Sequence, residues 1–431
     1  MTTHIGLLGC GTVGTAVAEM LLTEKSLLAR RSGQNLALKR ILIRDRAKAR
    51  SPAISPALYT TNPDDILRDP EIRIVVEVMG GLDPAKTLSL RALKAGKLLV
   101  TANKHLLALH GAEIFRAAAR TNSCVGFEAS CGGAIPIVLA LTRGLVGNEI
   151  QQVVGIVNGT CNYILSEMSS AGKSYAVALA EAQAAGFAEP DPTLDVTGRD
   201  SAHKLAILAA LAFGGQVSLA SIHVSGIDHM DVMDLRFGRE LGYACKLLAI
   251  AEKHGHAISL RVHPAFIAQQ HLLGSVNGSF NAIAVLGHAS GQTIYYGRGA
   301  GGRPTASAVL ADIVEAAMGT APLLFKKLPL LTRHPAVRAV PIDEVTSRHY
   351  LRMMVLDRPG MLHQITGILG QRGISLAAMV QHEAHEDQFV PLVIMTHTAP
   401  DGKVTEAVAN IDRLRGIRAY TRHIRVIDPP C

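Results

Sequence analysis

The sequence has no tryptophan, and aromatic residues make up only 4% of its 431 positions. That scarcity argues against a nucleic-acid reader, which would stack bases on aromatic rings and gather its cations on one face. The formal net charge is +8, but the Lys and Arg residues are dispersed along the chain. Cysteine is sparse and unpatterned. Its six residues, at 10, 124, 131, 161, 245 and 431, form no CxxC and no His/Cys cluster. Neither a disulfide scaffold nor a zinc site is expected, and the thiols read as the reduced cysteines of a cytoplasmic protein. No apolar run approaches the roughly 20 residues of a membrane span. The N-terminus runs into the apolar segment His4 to Leu8 without the basic region of a signal peptide. No membrane or nucleic-acid partner is therefore expected. What remains is a chain 48% hydrophobic and 18% charged, long enough for roughly three domains. Its basic balance suits a small anionic ligand such as a phosphorylated cofactor.

The most chemically loaded stretch runs from Gly186 to Leu208, GFAEPDPTLDVTGRDSAHKLAIL. Glu189, Asp191, Asp195 and Asp200 precede a single lysine, Lys204. From Ser201 onward Ala202, Leu205, Ala206, Leu208 and Ala209 keep helical spacing, so Asp200 and Lys204 share one helix face. An acid-rich, Pro-punctuated loop feeding that pair points to a site that grips an ammonium group and moves a proton. The alternative is an exposed ion pair of small worth.

Elsewhere the pattern is α/β. The strand His4 to Leu8 leads into Gly9-Cys10-Gly11-Thr12-Val13-Gly14 and then a helix-like segment, Ala16 to Leu28. This is GxGxxG in the context that gives it meaning: Gly9 for the turn, Gly11 for approach to a pyrophosphate, Gly14 for helix–strand packing. The second strand, Ala37 to Ile43, is followed by Arg44, Asp45, Arg46 and Lys48. Arg44 and the cations after it favour the 2′-phosphate of NADP(H), while Asp45 keeps NAD(H) open. Ile72 to Met79 reads as a buried strand, Pro84 to Lys94 as a helix, and Lys97 to Val100 as a strand whose end delivers Lys104. That lysine is either a ligand of cofactor or substrate, or a solvated loop residue. Glu128 to Pro136 sets a carboxylate beside Gly132-Gly133, suited either to a hard cation or to a hinge. Beyond Pro136 the strands Gln151 to Val157, His223 to Ile227, Ala257 to Ala268 and Leu272 to Val276 read as an α+β domain. It also carries a helix near Arg236 to His254 and a hairpin over 281–296. Asn158-Gly159-Thr160 reads as a helix cap. A second Gly-rich loop, Gly297 to Thr305, is either a cofactor contact or a linker, and a linker is expected over 324–349. The tail then reads βαββαβ, its second strand over Ile374 to His382, a ferredoxin-like module.

The motifs GLLGCGTVG, VVEVMGG, VTANKHLLA, FEASCGGAIPI, VNGTCNYIL, GFAEPDPTLDVTGRDSAHKLAILA and GAGGRPTASAV, in this order, resemble the monofunctional homoserine dehydrogenases that carry a C-terminal ACT domain. DRPGMLHQITGIL looks like the opening turn of that domain. The resemblance spans nearly the whole chain. It implies a Rossmann domain over 1–130 completed by about 300–340, a catalytic and dimerisation domain over 131–299, and a regulatory ACT domain over 348–431. It also implies interconversion of L-aspartate 4-semialdehyde and L-homoserine, with Lys204 as proton donor and Asp200 as its partner. Glu189, Asp195, Lys104 and Gly159 would meet substrate. Gly9, Gly11, Thr12, Val13, Gly14, Arg44, Lys104 and Gly302 would meet the cofactor. Glu128, Cys131, Gly133 and Ile135 would bind sodium or potassium, three of them through backbone oxygen. Threonine is the implied effector and a homodimer or homotetramer the implied assembly. Cys131, Cys161 and Phe187 depart from the usual Val, Thr and Tyr, and the lost hydroxyl at Phe187 removes a potential substrate contact. Two rival readings have distinct requirements. An acylating semialdehyde dehydrogenase needs a nucleophilic Cys with a His base, and a non-catalytic sensor would not need Asp200 and Lys204.

Overall fold

The computed structural model describes residues 2–329, 335–381 and 388–428. They fall into two compact units, the first made of residues 1–153, 201–220 and 280–337 and the second of 154–200, 221–279 and 338–431.

In the first unit, the strand Thr2–Leu8 is buried on both faces from Ile5 onward, as a central strand of a parallel sheet must be. It pairs in parallel with Asn35–Leu42 and Ile72–Glu77. Tyr59–Thr60, Leu98–Thr101 and Val125–Gly126 complete a six-stranded parallel sheet. Numbered along the chain, the strand order is 3-2-1-4-5-6, the doubly wound order of dinucleotide-binding domains. The helix after the glycine loop starts earlier than its apolar spacing indicated, at Thr12, and breaks at Glu24 into Thr12–Thr23 and Lys25–Ser32. The helix Gly302–Met318 packs against Thr12–Thr23. The hairpin Phe280–Gly287 and Gly291–Arg298 also belongs to this unit.

In the second unit the expected helix over Arg236 to His254 does not form. A helix runs only from Val232 to Glu240. The chain then turns at Leu241-Gly242, and Tyr243–His254 is a strand paired antiparallel along its whole length with Ala257–Ala268. Residues 245–251 are all buried, and an apolar run buried on both faces carries no alternation to distinguish strand from helix. Its cross-strand partner decided the matter. Leu272 to Val276, read as a strand, is a series of turns.

The tail forms the expected βαββαβ module. Its strands Thr346–Leu356, Leu376–Gln381, Phe389–Thr396 and Ile417–Val426 stand in the order 4-1-3-2. The helices Met361–Gln371 and Asp401–Ile411 cover one face through Ile365, Leu369, Val404 and Ile411. His382, assigned from sequence to the second strand's end, and the last three residues lie outside the described residues. The module is not a loose appendage. Its last strand pairs in parallel with Ala257–Ala268 through Ala265–Arg425 and Phe266–Val426. Arg352 and Tyr350 on its first strand both bond Asp234, at the start of the Val232–Glu240 helix. Among the described residues no single helix is long and apolar enough to cross a membrane.

Candidate active site

The glycine loop is shaped for a dinucleotide. Gly9 has φ +104°, and a Cβ there would meet the Met79 backbone at 3.0 Å; one on Gly14 would lie 2.4 Å from the Gly9 carbonyl oxygen. Gly11 is different: nothing lies within 4 Å of where its Cβ would be. It is the N-cap of the helix Thr12–Thr23, so the space above it faces the first backbone N–H groups of that helix. Open room at a helix N-terminus fits a pyrophosphate. Thr12 and Val13 open this helix, and a Cβ on Gly302 would lie 3.2 Å from the Thr12 carbonyl oxygen, so the second Gly-rich loop packs against the first. Arg44, Asp45, Arg46 and Lys48 are exposed beyond the second strand. Asp45 uses Oδ1 to accept from the Ala47 N–H at 2.7 Å, and Arg46 donates to the Tyr59 carbonyl at 3.2 Å.

Lys104 opens the helix Lys104–Arg120 at the carboxyl end of the fifth parallel strand. Its placement rests on a network that the sequence reading did not single out. Glu77, fully buried, accepts from Thr101 Oγ1 at 2.7 Å and from the Met79 and Gly80 N–H groups at 2.9 and 3.3 Å. Burial nonetheless raises its pKa above the ordinary carboxylate range. Thr101 in turn accepts from the Asn103 N–H at 3.0 Å. Asn103 caps the helix by accepting from Leu106 N–H at 3.1 Å and donates to the Gly81 carbonyl at 2.8 Å. The motif VVEVMGG contained the signal: an acid inside an otherwise apolar strand must find partners.

In the second unit Asn158 joins the acidic residues. As the N-cap of the helix Gly159–Ala171, it accepts through Oδ1 from the Cys161 N–H at 2.9 Å. Its Nδ2 donates to Asp195 Oδ1 at 2.7 Å and to Asp200 Oδ2 at 2.9 Å. One amide thus holds two carboxylates side by side. The sequence showed the cap but not the bridge. Gly159 is the first residue of that helix, Glu189 is exposed, and Asp195 is half-buried. Phe187 rests against Tyr163, ring centroids 4.9 Å apart, and its carbonyl accepts from Thr160 Oγ1 at 2.6 Å. Asp200 and Lys204 lie one turn apart on the helix Arg199–Phe213, 2% and 7% exposed. An exposed surface pair, the alternative reading, is therefore ruled out.

The segment 128–135 is a tight loop in the first unit. The Glu128 carboxylate accepts from the Val138 and Leu139 N–H groups at 2.9 and 2.7 Å, and its own N–H donates to Asp312 Oδ2 at 2.9 Å. Burial pushes the Glu128 pKa up to about 7 and that of Asp312 well above its usual value. Gly132 and Gly133 are left-handed, φ +73° and +58°, and a Cβ on Gly133 would lie 2.5 Å from the Gly299 backbone. Turned backbone beside a carboxylate gives an oxygen-rich donor set that fits a hard cation. Cys131 belongs to the same loop, and its Sγ lies 3.8 Å from the Lys204 carbonyl oxygen. Burial pushes the Cys131 thiol, like those of Cys124 and Cys245, up to about 12. Such thiols are not nucleophiles near neutrality, so none of these three meets the requirement of the acylating reading.

Three family models match consecutive parts of the chain. The homoserine dehydrogenase NAD-binding domain matches residues 9–128, homoserine dehydrogenase residues 136–314, and the ACT domain residues 349–413. A homoserine dehydrogenase of Neisseria gonorrhoeae is 41% identical, with 98% of each chain covered. Among solved structures, a homoserine dehydrogenase from Thiobacillus denitrificans is 42% identical with TM-score 0.92, covering 99% of both chains. A hyperthermophilic archaeal homoserine dehydrogenase in complex with NADPH covers 74% of this chain and 98% of its own, at 27% identity and TM-score 0.62. With its dinucleotide-binding loop, its buried Asp200–Lys204 helix and its ACT module, this chain belongs to the homoserine dehydrogenase family of oxidoreductases.

Proposed function

We propose that the enzyme reduces L-aspartate 4-semialdehyde to L-homoserine, on the route to threonine, methionine and isoleucine, with Lys204 as proton donor. The observation that carries this reading is the Asn158 bridge between Asp195 and Asp200, with Lys204 one buried turn further along the same helix. Bound at the glycine loop, a nicotinamide cofactor supplies the hydride. The chain's own residues do the rest. Lys204 Nζ offers a proton and a positive charge to the oxygen as it becomes an alkoxide. Asp200, held by Asn158, sets the field along that helix, and Glu189 and Asp195 pair with the substrate ammonium. Lys104 and Gly159 meet the substrate, and Lys104 also meets the cofactor with Gly9, Gly11, Thr12, Val13, Gly14, Arg44 and Gly302. The domain boundaries that go with this reading are 1–130 completed by about 300–340, 131–299, and 348–431.

NADP(H) is the preferred cofactor in this reading. Arg44 is exposed at the strand end, while Asp45 is engaged in its own turn; the NADPH complex of the archaeal relative is in keeping with it. Glu128, Cys131, Gly133 and Ile135 would hold a sodium or potassium ion that supports the fold around Lys204. The ACT module binds threonine at the turn before the helix Met361–Gln371 and favours a less active state. A second copy pairs along the exposed edge strand Leu376–Gln381, giving a cytoplasmic homodimer or homotetramer. The last module strand pairs with Ala257–Ala268 and Arg352 faces Asp234. Cutting the module away would therefore expose a sheet edge and a buried charge, so threonine inhibition is tested on the full chain.

The deciding experiment is NADPH oxidation with aspartate semialdehyde by the wild type and by Lys204→Ala. Losing the general acid should lower kcat by roughly 10²- to 10⁴-fold with little change in NADPH affinity. Near-normal turnover by the variant would overturn the assignment of Lys204.

A further inference from the structure

Each of the two lysines in the proposed reaction has a histidine as its chain neighbour, His105 beside Lys104 and His203 beside Lys204. The two rings stack on each other, centroids 4.7 Å apart and planes 20° from parallel. His105 is the second residue of the helix Lys104–Arg120, and His203 precedes Lys204 within the helix Arg199–Phe213. His203 is 9% exposed and His105 half-buried. Lys104, His105, His203 and Lys204 all belong to the first compact unit. Near-parallel packing at this distance is a favourable aromatic arrangement. It joins the helices at the turns from which the lysines project.

We infer that the His105–His203 stack is a positioning device that sets the direction and separation of Lys104 and Lys204. The inference rests on the reading of Lys204 as proton donor. A lysine reaches its target along a four-carbon stem with many rotamers, so its aim depends on how firmly the backbone at its root is held. Successive residues on a helix point about 100° apart. Fixing the azimuth of His203 therefore fixes that of Lys204, and the same holds for His105 and Lys104. The Cys131 thiol, 3.8 Å from the Lys204 carbonyl, holds the same turn from another side. Neither imidazole needs to touch substrate for this role. What matters is two flat rings in contact.

The test is a double-mutant cycle on the full chain with NADPH and aspartate semialdehyde. A misplacement near 1 Å in a catalytic constellation costs on the order of 100-fold, so His203→Ala and His105→Ala should each lower kcat by about 10- to 100-fold while NADPH affinity stays within about 2-fold. The double variant should be no worse than the poorer single one, because both break one contact. His105→Phe, which keeps a flat ring but no titratable nitrogen, should recover most of the turnover lost in His105→Ala. Additive losses, a His105→Phe variant as poor as His105→Ala, or kcat within 2-fold of wild type in both alanine variants would each overturn the inference. Should His203→Ala fail to fold, the comparison of His105→Ala with His105→Phe decides it, since His105 is only half-buried. Lys204→Ala assayed alongside separates the two readings. If it retains turnover, the proton-donor assignment falls, whereas the cycle between the histidines still reports whether they act as one unit.

Discussion

Glu128 and Asp234 are both carboxylates in the interior, 2% and 1% exposed, yet their surroundings are opposite. Asp234 is met by fixed cationic and hydroxyl donors. Arg352 Nε and Nη2 bond its two oxygens at 2.5 and 2.9 Å, and Tyr350 Oη donates at 3.0 Å. Arg352 Nη2 also reaches Asp231 at 3.0 Å. Glu128 is met by two backbone amides; the nearby Glu315 carboxylate opposes its ionisation and the Arg143 guanidinium favours it. Burial outweighs the two amides and the field of Arg143, which bonds Glu315 instead, and leaves its pKa at about 7. The difference separates two uses of a buried acid. A carboxylate with its own guanidinium is an anchor, here tying the ACT module to the helix Val232–Glu240. A carboxylate bonded only by amides, with no guanidinium of its own, is the one that holds its proton toward neutrality.

The largest effect should come from breaking the matched pair. Arg352→Ala leaves Asp234 buried without its cation, and removal of one partner of such a pair costs about 3–5 kcal/mol. Thermal unfolding should show a large fall in Tm, and Arg352→Met combined with Asp234→Leu should recover much of it. A loss below about 1 kcal/mol in Arg352→Ala would mean that the pair does not anchor the module. An intermediate effect belongs to Glu128. Its folded pKa is raised, so between pH values of about 4.3 and about 7 the folded chain holds a proton that the unfolded chain has released. Stability should therefore fall as pH rises through that window, by no more than about 4 kcal/mol, and Glu128→Gln should flatten the slope. Withdrawing sodium and potassium should lower Tm more at pH 8, where Glu128 is ionised, than at pH 5.5. Equal losses at the two pH values would remove the cation from this site. The smallest effect is expected at the partly exposed Arg143–Glu315 pair. Glu315→Gln should cost under about 1 kcal/mol and move the midpoint of that slope to lower pH, because one opposing carboxylate is gone and Arg143 is released. An upward movement would contradict the charge balance around Glu128.

Much of the dinucleotide-binding half was legible because its signals are local. The turn at Gly9, the open approach at Gly11 and the close packing at Gly14 involve residues within six positions of one another, whereas the helix start at Thr12 was not legible. The βαββαβ rhythm of the tail was legible for the same reason. The Asn158 cap could be read, since its acceptor role concerns the Cys161 N–H three residues on. Its donor role could not, because Asp195 and Asp200 are 37 and 42 residues away. The strand Tyr243–His254 was misread as helix because burial on both faces erases the alternation that marks a strand. Glu77 passed as one residue of an apolar strand, and only the Thr101 hydroxyl and the Met79 and Gly80 amides explain how it is tolerated there.

The sequence by itself determined the α/β class, the homoserine dehydrogenase family and the ACT module. Those properties reside in motif order, turn chemistry and periodicity, all of which act over a few residues. Only the tertiary structure decided that one amide binds two site carboxylates, that Asp234 is bonded by a guanidinium and Glu128 by amides alone, and that His105 and His203 stack. It also decided that the tail's last strand joins the strand Ala257–Ala268. Each of these depends on which distant segments are brought into contact, and a buried charge or ring takes its role from those neighbours rather than from the residues beside it in the chain.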